Sequence, residues 1–329
     1  MERKNDLDFA KGIGIILMVL GHCFSDGNGQ EVRTWFYSFH MPLFFVIPGL
    51  LSRDQADLPY VSYYIKKRTR ALLIPYCIWG IAAALFLAVM GRRDRSWLLG
   101  ALKSVLMLEG LSAMWFLPCL LLAELLFWCC RSIDRKHPIM GKLAAIVLAL
   151  TGGAIPATNP FTVVILRSFT GASFICLGWA LADLLNYSCK NGIWVLLVVL
   201  QAVLAMINGK IDVLNREYGN PVLFYLNALM GCWLVIRLYH VMMSVRWRYA
   251  VNVVTFFGRN SLIVVCTSLF AIELLRLTDY KLFGGILPEL GNWEGFLLCS
   301  LAMGMEAIAI VFCRKYLWFT FGKSSRHHW

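Results

Sequence analysis

About ten apolar runs recur along this chain, at about 9–24, 35–51, 71–90, 113–130, 143–157, 161–182, 193–208, 221–239, 250–275 and 294–313, against a bilayer yardstick of roughly 20 helical residues. One soluble core cannot hide that much apolar surface. Of 329 residues, 59% are hydrophobic and 15% charged, and the mean hydropathy is +0.67. The expected fold is therefore all-α, a polytopic membrane bundle of about ten transmembrane helices forming a single domain over residues 1–329. Trp97 to Leu108 is apolar but short, and reads as a re-entrant or interfacial piece.

Lysine and arginine set the expected orientation. Arg3, Lys4, Arg53, Lys66, Lys67, Arg68, Arg70, Arg131, Arg135, Lys136, Lys142, Arg246, Arg248, Arg314, Lys315, Lys323 and Arg326 gather on one side, which places both termini in the cytoplasm. Arg92, Arg93 and Arg95 run against this bias. The net charge of +12 is thus a topology signal and not a nucleic-acid footprint. Eleven cysteines lie scattered in apolar segments, Cys129 and Cys130 adjacent and none in a CxxC pair. They read as small buried hydrophobes, with no disulfide framework and no metal site. The first apolar run lacks a small-residue cleavage site, so no cleaved signal peptide is expected.

Ionisable residues inside such runs mark candidate sites. Lys11 and His22 are eleven residues apart; on a helix that is about 1100°, close to three full turns, so both share one face about 16 Å apart. The plainer reading of His22 is a satisfied histidine at a helix end. His40, in Phe39-His40-Met41-Pro42, opens the second run at a depth similar to His22, and its plainer reading is one polar member of an aromatic belt. Pro42 and Pro48 predict a bent or opened helix there. Lys66, Lys67, Arg68 and Arg70 form a juxtamembrane cluster that suits lipid headgroups or, with Lys11, a phosphate-bearing ligand. Glu124, Arg167 and Glu306 fall inside runs, where each costs roughly 2.5–3.5 kcal/mol unless paired or hydrated. A Glu124–Arg167 or Glu306–Arg167 ion pair would be structural. Asp8 lies one turn from Lys11, and Asn220 and Asn260 either cap helix ends or supply hydrogen bonds.

Asp8-x-x-Lys11-Gly with His22, Phe39-His40-Met41-Pro42-Leu43-Phe44-Phe45 with Gly49, Arg68-x-Arg70 before Leu-Leu-Ile-Pro-Tyr, and Trp115-Phe116-Leu117-Pro118 together resemble the acyltransferase-3 family of integral-membrane acyltransferases. Glu217 to Pro221 and Phe257 to Leu262 look like its fucose 4-O-acetylase branch. The resemblance runs from about residue 6 to Lys323. It implies a bundle that transfers an acyl group, usually acetyl from acetyl-CoA, to a hydroxyl of a carbohydrate or other envelope molecule, in the cell membrane and without a metal. Lys11 and His22 take the family's R/K-x10-H positions, and Arg68 and Arg70 its RxR positions. Similar sequences often carry a histidine shortly after Asn-Ser-Leu, where this chain has Ile263 to Ser268.

On this reading Lys11, Arg68 and Arg70 hold the phosphates of acetyl-CoA at the cytoplasmic mouth. His22 acts as general base on the acceptor hydroxyl or forms an acetyl-histidine, and His40 positions the acceptor or stabilises charge. Asp8, Glu124, Arg167, Asn220 and Asn260 are supporting candidates. The rival class is a non-catalytic transporter or flippase for a polysaccharide or lipid-linked sugar, which Pro-broken helices and buried charges would also serve.

Overall fold

The computed structural model describes residues 4–25, 27–53, 60–90, 94–185 and 191–323. Arg3, Arg92, Arg93 and Arg326, used above for orientation, lie outside the described residues. The helices are α1 (Asn5–Cys23), α2 (Gln30–Tyr37), α3 (His40–Arg53), α4 (Val61–Val89), α5 (Arg95–Leu106), α6 (Phe116–Lys136) and α7 (Pro138–Ala154). They continue with α8 (Pro160–Ala180), α9 (Ala182–Leu185), α10 (Asn191–Asn208), α11 (Pro221–Ser244), α12 (Arg248–Arg259), α13 (Ser261–Thr278) and α14 (Trp293–Tyr316). Among the described residues the only strand-like pairing is an isolated bridge between Asp212 and Glu217.

Among the described residues seven helical segments are long and apolar enough to cross a membrane: Gln30–Arg53, Val61–Val89, Ser112–Lys136, Pro160–Ala180, Pro221–Ser244, Ser261–Phe283 and Trp293–Tyr316. Apolar helices also occupy Ile139–Ala154 and Ile193–Asn208 but are shorter. The first apolar run is α1, whose N-terminal half carries Asp6, Asp8 and Lys11. On α10, Val195, Leu196, Val199 and Val203 are about half exposed or more, a face that hydrocarbon tolerates and water does not.

The run expected at 250–275 is two helices. Asn260 leaves the helical region (φ −113°, ψ 19°) between α12 and α13, and its side-chain amide donates to the Phe256 carbonyl (2.7 Å). Two glycines let α12 approach α1: a Cβ on Gly258 would strike the Asp8 carbonyl, and one on Gly12 the Val254 carbonyl. Such small-residue crossings replace the hydrophobic drive that lipid removes. Gly49 of α3 and Gly178 of α8 make a second one, each facing the other helix's backbone. Pro48 lies inside α3 and leaves the carbonyl one turn earlier without its helical donor. The twelve-residue α5 is too short to span a bilayer and packs on α4, where the buried Tyr76 hydroxyl donates to the Val105 carbonyl (2.8 Å).

Candidate active site

One face of α1 runs past two adjoining cavities. Lys11 lines a large one of about 870 Å³. One, two and three turns on, Ile15, Met18 and His22 line a small one of about 220 Å³. Phe44, Phe116 and Val265 line both and so form the wall between them. The Phe44 and Phe116 rings stand 5.5 Å apart, and Phe45 backs Phe116 at 5.2 Å.

The small cavity holds both histidines. His22 is half-buried, and its ring has no hydrogen-bond partner among the described residues. Its helix end is held firmly. The Arg276 guanidinium donates to the carbonyls of His22, Cys23 and Phe24 at 3.2, 3.3 and 3.4 Å, a cation at the negative end of the helix dipole. His40 is buried, and its Nδ1 lies 3.0 Å from the Phe36 carbonyl. A carbonyl only accepts, so Nδ1 carries the hydrogen and, in the neutral ring, Nε2 keeps a lone pair. Phe36 and Tyr37 flank this imidazole at 5.6 and 4.8 Å.

The turn between α2 and α3 that carries His40 is braced on α10. Gln201, itself buried, accepts from Trp35 Nε1 (2.6 Å) and donates to Ser38 Oγ (3.0 Å). Arg33, Tyr37 and Asp212 complete the polar lining, and none of the three stands out in the sequence. Arg33, Tyr37 and His40 are four and three residues apart, a one-face spacing legible only once the α2–α3 connection is known to be nearly continuous helix. Asp212 sits in a tight turn closed by its backbone bridge to Glu217. There Lys210 meets Glu217 at 2.8 Å, a hydrogen bond that holds the ammonium pKa above its ordinary value.

The large cavity is basic at one end. Lys11, Lys67, Arg68 and Lys323 line it with Glu124, Tyr63 and Tyr64. Arg68 of α4 grips the buried Glu124 of α6 through two nitrogens, a bidentate pair. Glu124 is thus paired, though not with the Arg167 of the structural alternative, because α4 and not α8 presents its basic turn to that carboxylate. Nor does Arg167 meet Glu306. Only 2% exposed, it lies beneath the Leu108 and Glu109 carbonyls (3.4 and 3.2 Å) and 4.9 Å from the Trp115 ring centre. Glu306 instead accepts from Thr267 Oγ1 (2.6 Å) and lines neither cavity.

Arg70 does not join the others. Two residues past Arg68 it points about 200° away, is exposed, and lines an open groove with Ser62, Lys66 and Leu73. Asp8 lies between Lys11 Nζ and Arg259 Nε, 3.4 Å from each. Asn220 caps α11, accepting from the Val222 and Leu223 amides at 3.0 and 3.2 Å. It lines neither cavity, and nor does Asn260, although its neighbours Ser261 and Leu262 line the large one. Ser268, where a histidine was expected, is buried and also lines neither. Among the described residues no three His, Cys, Asp or Glu side chains cluster as a metal site.

Residues 4–311 match the family model described as an acyltransferase domain. The chain belongs to the acyltransferase-3 family. This acyltransferase is a multi-pass membrane protein and an O-acyltransferase. It is also similar to the nodulation protein NolL of Mesorhizobium japonicum, 26% identical over 216 residues that cover 60% of this chain and 54% of NolL. The match thus spans about half the length of that curated relative. No solved structure matches the acyltransferase.

Proposed function

We propose that this acyltransferase is a single membrane domain over residues 1–329 that carries an acetyl group from cytosolic acetyl-CoA to a hydroxyl of a sugar or envelope polysaccharide in the cell membrane. The observation that carries this reading is the α1 face that offers Lys11 to the large basic cavity and His22 to the small two-histidine cavity, with a shared wall of three side chains. The large cavity would face the cytoplasm, as would both termini. Its size and its Lys11, Lys67 and Arg68 suit a nucleotide with phosphates, whereas Arg70 lies outside it. The small cavity suits a thioester end and one hydroxyl. The Glu217–Pro221 and Phe257–Leu262 segments support the fucose 4-O-acetylase-like branch through sequence alone.

His22 takes the proton of the acceptor hydroxyl as its oxygen attacks the thioester carbonyl. The tetrahedral intermediate collapses, the C–S bond breaks, and the thiolate of coenzyme A leaves and takes up that proton. His40 Nε2 accepts a hydrogen bond from the acceptor and orients it. In the double-displacement form of this chemistry His22 itself carries the acetyl group between donor and acceptor. The test is acetyl transfer by purified His22→Ala protein with a sugar panel, beside direct acetyl-CoA binding. Lost transfer with retained binding is the expected result; full activity would overturn the assignment. Transient acetylation of His22, trapped without acceptor, would select the two-step form.

A further inference from the structure

Arg33 is the cation in the small cavity that the acetyl-transfer steps leave unused. Its guanidinium packs on the Tyr37 ring at 5.4 Å, and it has no carboxylate partner among the described residues. Other arginines around the two cavities are engaged: Arg68 by Glu124, Arg276 by three carbonyls and Glu273, Arg259 by Asp8 and Asn5. The acid nearest in the lining is Asp212, and its carboxylate already serves its own turn. Oδ1 accepts from the Leu214 and Asn215 amides at 2.9 and 3.3 Å, and Oδ2 from the Asn215 amide group at 2.7 Å.

The arginine is also held in place. Its short helix α2 follows Gly29 (φ +64°), whose amide donates to Asn292 Oδ1 (2.8 Å). One residue before Gly29, the Asn28 side chain donates to Glu294 (3.2 Å), which is 1% exposed and also accepts from the Ser25 amide (3.1 Å). A buried carboxylate and an asparagine at the start of α14 thus fix the loop that aims Arg33. A half-buried guanidinium fixed beside two histidines, engaged among the described residues only by the Tyr37 side chain and without a carboxylate, is a poor use of desolvated charge unless a ligand completes it.

We infer that Arg33 binds an anionic group, a carboxylate or a phosphate, on the acceptor, so that this acyltransferase modifies acidic sugars in preference to neutral ones. This rests on the acetyl-transfer reading above and names the acceptor class for the same cavity. A guanidinium matches either anion through two parallel N–H donors, and Lys in its place would not.

The experiment has a binding arm and a transfer arm. Thermal shifts of the purified full chain are measured with a hexose, the matching hexuronate and the matching hexose phosphate, for wild type, Arg33→Gln, Arg33→Lys and His22→Ala. The hexuronate or the phosphate should bind wild type and His22→Ala about 10- to 100-fold more tightly than the hexose, and Arg33→Gln should erase that difference. Whichever anion shows the larger gain identifies the group. Equal binding of neutral and acidic sugars by wild type, or an acidic preference that survives in Arg33→Gln, overturns the inference. In the transfer arm, Arg33→Gln should raise KM for the acidic acceptor with little change in kcat. A fall in kcat on every acceptor at constant KM would assign Arg33 to the developing oxyanion and overturn it too. Acidic sugars that bind through Arg33 but are never acetylated would refute the acetyl-transfer reading and leave the anion subsite standing.

Discussion

The two cavities on the α1 face differ in both size and chemistry. The large one is about four times the volume of the small one, and two of its cations, Lys11 and Arg68, are paired with Asp8 and Glu124. The small one pairs two imidazoles with an arginine free of acid partners among the described residues. On the proposed function, opposite demands account for the contrast. Holding a multiply charged donor needs fixed positive charge that does not collapse onto the protein, whereas taking a proton needs a group with an open lone pair. Phe44, Phe116 and Val265 keep the two environments apart while leaving them adjacent.

The largest expected effect breaks one cavity and spares the other. His22→Ala should lower the transfer rate by about 10²-fold or more with acetyl-CoA affinity unchanged, read by coenzyme A release beside calorimetric binding. Loss of donor binding instead would merge the two cavities into one site. Next comes the charge balance of the large cavity. Glu124→Gln leaves the half-buried Arg68 without its carboxylate and should cost about 1–3 kcal/mol of stability, seen as a lower Tm in detergent. Arg68→Gln placed on top should recover much of the loss, because it removes the uncompensated charge. A smaller effect is expected at Arg276, which holds the end of α1. Arg276→Gln should lower kcat about tenfold with KM for the donor nearly constant, an effect of about 1.4 kcal/mol on the transition state; an equal rise in donor KM would place Arg276 in donor binding. The smallest separates two cations of one basic cluster: Arg70→Gln should weaken acetyl-CoA binding less than about twofold, against about tenfold for Lys67→Gln. Equal losses would bring Arg70 back to the donor.

Much of this was legible in the chain. The apolar runs coincide with helices, and the Lys11–His22 spacing places both on one face because helical twist is a local property. The same twist sends Arg68 and Arg70 to opposite sides of α4, so their separation was open to the same arithmetic that aligned Lys11 with His22. The break at Asn260 was foreshadowed by Gly258-Arg259-Asn260-Ser261, whose polar and small residues interrupt the run. Arg33 and Asp212 were not legible. They come from two connections far apart in sequence and meet only because loops braced by Glu294 and by the Asp212 turn close over His22.

The sequence by itself determined the medium, the helical class and the register of each helix face, since hydropathy and 3.6-residue periodicity depend on neighbours along the chain. Which face meets which was decided by the tertiary structure alone. Glu124 pairs with Arg68 and not with Arg167, because α4 delivers its basic turn to the Glu124 face of α6 while one nitrogen of the Arg167 guanidinium on α8 donates to the Leu108 and Glu109 carbonyls. Ion-pair partners in a bundle are set by helix packing, and no local pattern encodes that choice.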